Sequence, residues 1–125
     1  MIGALYMDIL IVEDSRKMRQ LIANFVSDLA DHLYECSDGS EALTAYTQYR
    51  PDWVLMDLNM RQVDGLAATR QIMAAFPEAR IMIVTAYEGA ALREAARKAG
   101  ACAYVLKDQL PVVRQILSAQ ANWPQ

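Results

Sequence analysis

Residues Val54–Gly65 read VLMDLNMRQVDG. The stretch opens as an apolar run with the character of a buried strand, and the carboxylate of Asp57 ends it. An ionised side chain is costly to bury without a partner, so whatever faces Asp57 must account for it.

Working outward, five short apolar runs read as strands: Met7–Val12, Leu33–Cys36, Trp53–Met56, Arg80–Val84 and Cys102–Leu106. Segments of helical period separate them. Met18, Leu21, Ile22, Phe25, Val26 and Leu29 follow i, i+3, i+4, i+7 spacing, with Ser15 placed to cap the helix. A second helix is predicted at about Ser40–Tyr49, after the turn pair Asp38-Gly39, and a third at about Leu66–Phe76, stopping before Pro77. A fourth, about Ala90–Ala99, is alanine-rich and ends at Gly100, a natural residue just past a helix end. Its thin apolar face predicts the least firm docking of the five. The last covers about Pro111–Ala121. Five strand-then-helix units with continuous apolar strands imply a doubly wound α/β fold, its parallel sheet covered on both faces. Ligand sites in such sheets lie outside the carboxyl ends of the strands.

Those ends carry a pattern. The first strand ends in Glu13-Asp14, the third in Asp57, the fourth in Thr85 and the fifth in Lys107. Three carboxylates at one edge repel, by about 4 kcal/mol per pair at 4 Å and an effective dielectric near 20. Lys107 alone does not offset that for all three. A divalent cation does, and oxygen donors with room for water suit Mg²⁺, which would also screen an incoming phosphoryl group. A carboxylate so placed can act as a nucleophile toward phosphorus. Thr85 can donate a hydrogen bond to a phosphoryl oxygen, and Lys107 supplies further positive charge.

Bulk properties narrow the class. The 125 residues suit one compact domain, expected to be residues 1–125 with a core of about 7–121. At 54% hydrophobic and 22% charged, the chain can form a core. A net charge of −3 with no basic stripe argues against direct nucleic-acid binding. No apolar run reaches the roughly 20 residues of a membrane helix. The start, MIGALYMDILIVED, lacks the basic segment of a signal peptide, so a cytoplasmic location is expected. Cys36 and Cys102 sit among small or apolar residues and are expected to be buried hydrophobes, and a single histidine, His32, speaks against a zinc site.

The blocks ILIVEDSRKMR, VLMDLNMRQVDG, IMIVTA and GACAYVLK, in this order and spacing, resemble the signature of response-regulator receiver domains of two-component signalling, and in length the chain is similar to single-domain chemotaxis-type regulators. The resemblance implies a flavodoxin-like (βα)5 fold with strand order 2-1-3-4-5. It implies that Asp57 accepts a phosphoryl group from a histidine kinase or phosphotransfer protein. Asp14 would bind Mg²⁺ directly, Glu13 through water, and Asp57 and the backbone carbonyl of Asn59 would complete the protein's ligands. Thr85 and Lys107 would hold the phosphoryl group, and Tyr104 would be the switch aromatic that follows Thr85. The surface of the fourth helix, fifth strand and fifth helix would signal to a downstream protein partner or fused output domain, or mediate a phosphorylation-linked homodimer, in which Trp123 is one candidate contact. Such a domain is a phosphoacceptor with slow self-catalysis, not an ordinary enzyme.

The chain departs from the family at two positions. Asp108 follows Lys107 where most receivers have a cis proline, so that peptide is expected to be trans with a reshaped loop, or cis under strain. Arg61 replaces the usual proline after Met60 and is read as a solvated residue in a looser loop. Asn59 and Tyr87 occupy the two positions that tune phosphoryl lifetime in the family, and the Tyr87 ring is expected to shield the acyl phosphate. Two other classes compete with this reading. An aspartate-nucleophile phosphatase would carry a DxD pattern on the first strand, and Glu13-Asp14-Ser15 does not fit it. A non-phosphorylated pseudo-receiver, acting only as an interaction module, is the other.

Overall fold

A computed structural model describes residues 7–121, with side chains through Ala119. Trp123 lies outside the described residues. Five parallel strands, β1 (Met7–Val12), β2 (Ala30–Cys36), β3 (Trp53–Met56), β4 (Ile81–Thr85) and β5 (Ala103–Leu106), form one sheet in the order β2-β1-β3-β4-β5. The helices are α1 (Arg16–Val26), α2 (Ala42–Tyr49), α3 (Gly65–Ala75), α4 (Ala90–Ala99) and α5 (Leu110–Ala121). This is the doubly wound sheet that the strand-helix alternation predicts, in the flavodoxin-like order that the resemblance implies.

Side chains alternate across each strand, so neighbouring residues feed opposite cores. Ile9, Ile11, Trp53, Leu55, Met82 and Val84 pack with Ile22 and Val26 of α1 and with Val113 and Leu117 of α5. Leu10, Val12, Val54, Met56, Ile81 and Ile83 pack on the other face with Ala45, Tyr46, Ala68, Ile72 and Ala96. Each large side chain buried in this way contributes about 1.5–3 kcal/mol.

The predicted boundaries shift for identifiable reasons. Ser15 Oγ accepts the Met18 N–H at 3.2 Å, so α1 starts where the capping signal places it. It stops at Val26, and Leu29 falls in a 3₁₀ turn, where Arg114 of α5 donates to the Phe25 carbonyl at 2.9 Å and pairs with Asp28. β2 begins three residues earlier than expected, at Ala30. As an edge strand it exposes Asp31, His32 and Glu35, which hides its apolar period. A 3₁₀ turn at Gly39–Glu41 takes the first part of the second predicted helix. Asp64 caps α3 by accepting the Ala67 N–H at 2.9 Å, and Phe76 is the residue after its last turn. Gly100 takes φ 114° at the end of α4, whose buried residues are only Ala96 and Ala99. That agrees with its expected shallow docking.

Cys36 is buried as expected, but Cys102 is exposed. β5 starts one residue later than predicted, leaving Cys102 on the connector after Gly100. No described helix is long and apolar enough to cross a membrane.

Candidate functional site at the carboxyl edge of the sheet

Hydrogen bonds in the sheet direction continue past the strand ends and hold the acids at the rim. The Asp57 N–H donates to Val12 O at 3.0 Å, and the Glu13 N–H donates to Cys36 O at 3.0 Å. Arg19 of α1 donates from Nη1 to the Glu13 carbonyl at 2.7 Å and from Nε to Glu35 at 2.8 Å. Glu13 and Asp57 are 1% and 4% exposed, so both are desolvated, while Asp14 is exposed. Lys107 bridges the two buried acids, with Nζ 2.9 Å from Glu13 Oε1 and 3.3 Å from Asp57 Oδ1.

Burial pushes the Glu13 carboxyl above its ordinary range, against the lowering effects of Lys107 and the Ser15 amide and with a further push from Asp57. Burial also raises Asp57, against Lys107 and the Asn59 amide and with help from Asp14. For Lys107, burial alone would lower the ammonium, but Glu13 and Asp57 outweigh it and raise it. The lysine is therefore held charged, and it reduces the mutual repulsion of the acids without abolishing it.

The donor set fits a magnesium ion. One carboxylate oxygen each from Glu13, Asp14 and Asp57 lies within 4.8 Å of the others. Octahedral Mg²⁺, with bonds of about 2.1 Å, separates its ligands by about 3 Å when adjacent and about 4.2 Å when opposite. Glu13 Oε1 is also buried with no hydrogen-bond partner besides its ion pair to Lys107, leaving lone-pair capacity for a cation. A second acid-histidine group, Asp8, Asp31 and His32, lies at the opposite rim. There His32 Nδ1 of β2 sits 2.9 Å from Asp8 of β1 and 3.6 Å from Asp31 of its own strand.

Thr85 is fully buried at the end of β4, and its Oγ1 accepts the Tyr87 N–H at 3.2 Å. Tyr104 Oη donates to the Tyr87 carbonyl at 2.7 Å, and the Arg93 guanidinium lies 4.6 Å from the Tyr104 ring centroid. Asn59 Nδ2 donates to Tyr87 Oη at 3.2 Å. Tyr87 thus touches Thr85, Tyr104 and Asn59 at once. It also borders a groove of about 350 Å³ with Leu58, Asp64, Leu66 and Leu92. The sequence singles out Tyr87 only for its ring and misses these links, two of which use its backbone.

The two departures resolve locally. No described peptide is cis, and Lys107–Gln109 forms a 3₁₀ turn running straight into α5, so the reshaped trans loop is the form adopted. Arg61 is exposed, in keeping with a solvated loop residue. Sequence reasoning also misses Asp38, read only as part of a turn. Its Oδ1 accepts the Gln62 N–H at 3.0 Å, and its Oδ2 accepts those of Ser40 at 2.8 Å and Val63 at 3.1 Å.

The five-stranded doubly wound sheet, with its polar cluster at the carboxyl edge, defines the class as flavodoxin-like α/β. Within that class, residues 9–118 match the response regulator receiver domain, and the chain belongs to that family. It is 36% identical over 100 residues to chemotaxis protein CheY of Listeria monocytogenes, covering 79% of this chain and 84% of that one. It is 36% identical over 107 residues to the uncharacterized transcriptional regulatory protein YhcZ of Bacillus subtilis, covering 84% of this chain but only 50% of YhcZ. It thus spans about half the length of that regulator. Among solved structures, a LuxR-family two-component response regulator from an Aurantimonas species superposes with a TM-score of 0.86 at 30% identity, covering 93% of this chain and 85% of that one. The Borrelia burgdorferi CheX-CheY-BeF3-Mg+2 complex gives a TM-score of 0.79 at 27% identity, covering 90% and 88% respectively.

Proposed function

We propose that Asp57 accepts a phosphoryl group from a histidine kinase or phosphotransfer protein in a Mg²⁺-dependent reaction, and that the new charge shifts the α4–β5–α5 surface between two states. The observation that carries this reading is the buried pair Glu13 and Asp57 spanned by Lys107 at the strand ends. A carboxylate desolvated beside another acid and one lysine suits positioning and charge stabilisation in phosphoryl transfer.

Glu13, Asp14, Asp57 and the Asn59 carbonyl would hold Mg²⁺, which when bound supplies charge neutralisation at the phosphoryl oxygens. An Asp57 carboxylate oxygen attacks phosphorus in line, the bond to the donor's histidine nitrogen breaks, and an acyl phosphate forms. The Lys107 ammonium pairs with one phosphoryl oxygen and the Thr85 hydroxyl donates to another. Reorienting Thr85 acts on Tyr87, whose N–H it accepts, and through the Tyr87 carbonyl on Tyr104. That path biases a two-state surface. The presence of BeF3 and Mg+2 in the Borrelia burgdorferi CheX-CheY complex supports the same chemistry here.

The chain then acts as a cytoplasmic signalling phosphoacceptor, not a turnover enzyme. Residues 1–125 form one receiver unit, standing alone or joined to an output domain; the 50% coverage of YhcZ suits the second arrangement and the 84% coverage of CheY the first. A pseudo-receiver reading is not favoured, since the acids, hydroxyl and lysine are all present at the rim. Incubation with acetyl phosphate and Mg²⁺ should add one phosphoryl mass to the intact protein, and Asp57→Asn should abolish it. Equal labelling of the variant would remove the assignment. Sedimentation of the labelled protein tests a phosphorylation-linked homodimer.

A further inference from the structure

We propose that Asp38 is a positioning residue for the metal site: it fastens the loop carrying Asn59 to the same end of β2 that holds Glu13, and so sets the spacing of the oxygen donors. The inference rests on the reading of Asn59 and the acids as magnesium ligands.

Three observations carry it. First, one Asp38 carboxylate accepts three backbone N–H groups, and two of them, Gln62 and Val63, belong to the β3–α3 loop. Second, the turn and that loop pack backbone to backbone: a Cβ built on Gly39 would lie 2.3 Å from the Val63 carbonyl oxygen. The loop therefore seats against the turn only because residue 39 has no side chain. Third, the other ligand loop is tied to the same strand end. Glu13 N–H donates to Cys36 O at 3.0 Å, and Arg19 spans from the Glu13 carbonyl to Glu35. Residues 35–38 thus reference both donor groups to one edge of the sheet.

The loop contains no proline and Arg61 is exposed on it, so its geometry depends on such outside bonds. Its far end is fixed separately, by the Gly65 N–H donating to Leu58 O at 2.9 Å and by Asp64 capping α3. Between those points Asp38 holds the loop backbone at Gln62 and Val63, while the Asn59 side chain reaches the other way to Tyr87. Groups behind the ligands of a metal site orient those ligands and affect affinity without touching the ion.

The test measures Mg²⁺ affinity of the unphosphorylated protein by titration calorimetry. Asp38→Ala should weaken binding about tenfold. The Mg²⁺ concentration giving half-maximal labelling by acetyl phosphate should rise by the same factor, while the rate at saturating Mg²⁺ stays within about twofold of wild type. Asp38→Asn, which keeps one oxygen for the Ser40 and Val63 amides, should fall between. It also serves if the alanine variant folds poorly. Amide exchange at Gln62 and Val63 should quicken in the metal-free variants. Asp28→Ala, which breaks an ion pair at the α1–α5 side, is the stability control and should bind Mg²⁺ as wild type does. Unchanged affinity in both Asp38 variants, or equal weakening in the control, would overturn the positioning role while leaving the site reading intact. A wild type that binds no Mg²⁺ would overturn both.

Discussion

Asp57 and Asp38 are both loop carboxylates at the carboxyl edge of one sheet, and the fold treats them oppositely. Asp57 is buried next to Glu13, and burial raises its pKa despite Lys107. For Asp38, desolvation also acts upward, but the N–H groups of Gln62, Ser40 and Val63 outweigh it and bring the carboxyl down to about 2. One site is arranged around backbone donors and gains stability from its charge. The other is arranged around like charges and loses stability to it. The contrast separates a carboxylate satisfied by backbone amides from a carboxylate held against another acid.

The hardest blow to this contrast comes from the backbone on which the pocket rests. A Cβ on Gly65 would lie 2.0 Å from the Asp57 carbonyl oxygen, with no flexible side chain to yield. Gly65→Ala should lower unfolding free energy by about 3 kcal/mol and impair labelling, both measurable on purified protein. Next come the two carboxylates, with opposite signs. Asp57→Asn removes a charge from a buried like-charge pair and should stabilise the protein by about 1 kcal/mol at pH 7 in denaturant unfolding. Asp38→Ala strips three amides of their acceptor and should destabilise it by about 1 kcal/mol. If both variants move the same way, the contrast is wrong.

Acidification sharpens the same point. A raised folded pKa means the unfolded chain releases its proton first, so the Glu13–Asp57 contribution falls as pH rises through the ordinary carboxylate range. The advantage of Asp57→Asn over wild type should therefore grow from pH 4 upward. Asp38 has a lowered folded pKa, so its contribution is present above its ordinary value of 3.8 and is lost as pH falls toward 2. The gap between wild type and Asp38→Asn should close over that interval. A subtler effect concerns lifetime. Tyr87 is 50% exposed beside Asn59, and Tyr87→Ala should shorten the half-life of the acyl phosphate while leaving the initial rate of labelling unchanged. The smallest effect belongs to the Asp28–Arg114 pair, where removing either charge should leave phosphorylation untouched.

Much of this was legible in the residues. Continuous apolar runs gave the central strands β1, β3 and β4 nearly to the residue, because both their faces are buried and period has nothing to hide. β2 reads short in the sequence because Asp31 and His32 lie on an exposed edge. The acids, hydroxyl and lysine at the rim followed from which residue ends each strand. Arg19 and Asp38 were invisible for another reason. The contacts that matter most are to backbone groups, 6 positions away for Arg19 and 24 and 25 for Asp38, and no side-chain pattern advertises a carbonyl or an amide.

The two thiols carry a practical consequence. Burial holds Cys36 at about 11, and it lies inside the core; Cys102 is raised by burial too, yet is open to solvent on the connector leading into β5. A maleimide dye at mildly alkaline pH should therefore attach at one position only. That position borders Arg93, Arg97 and Tyr104, so the wild-type chain carries its own attachment point for a fluorescent reporter beside α4 and β5.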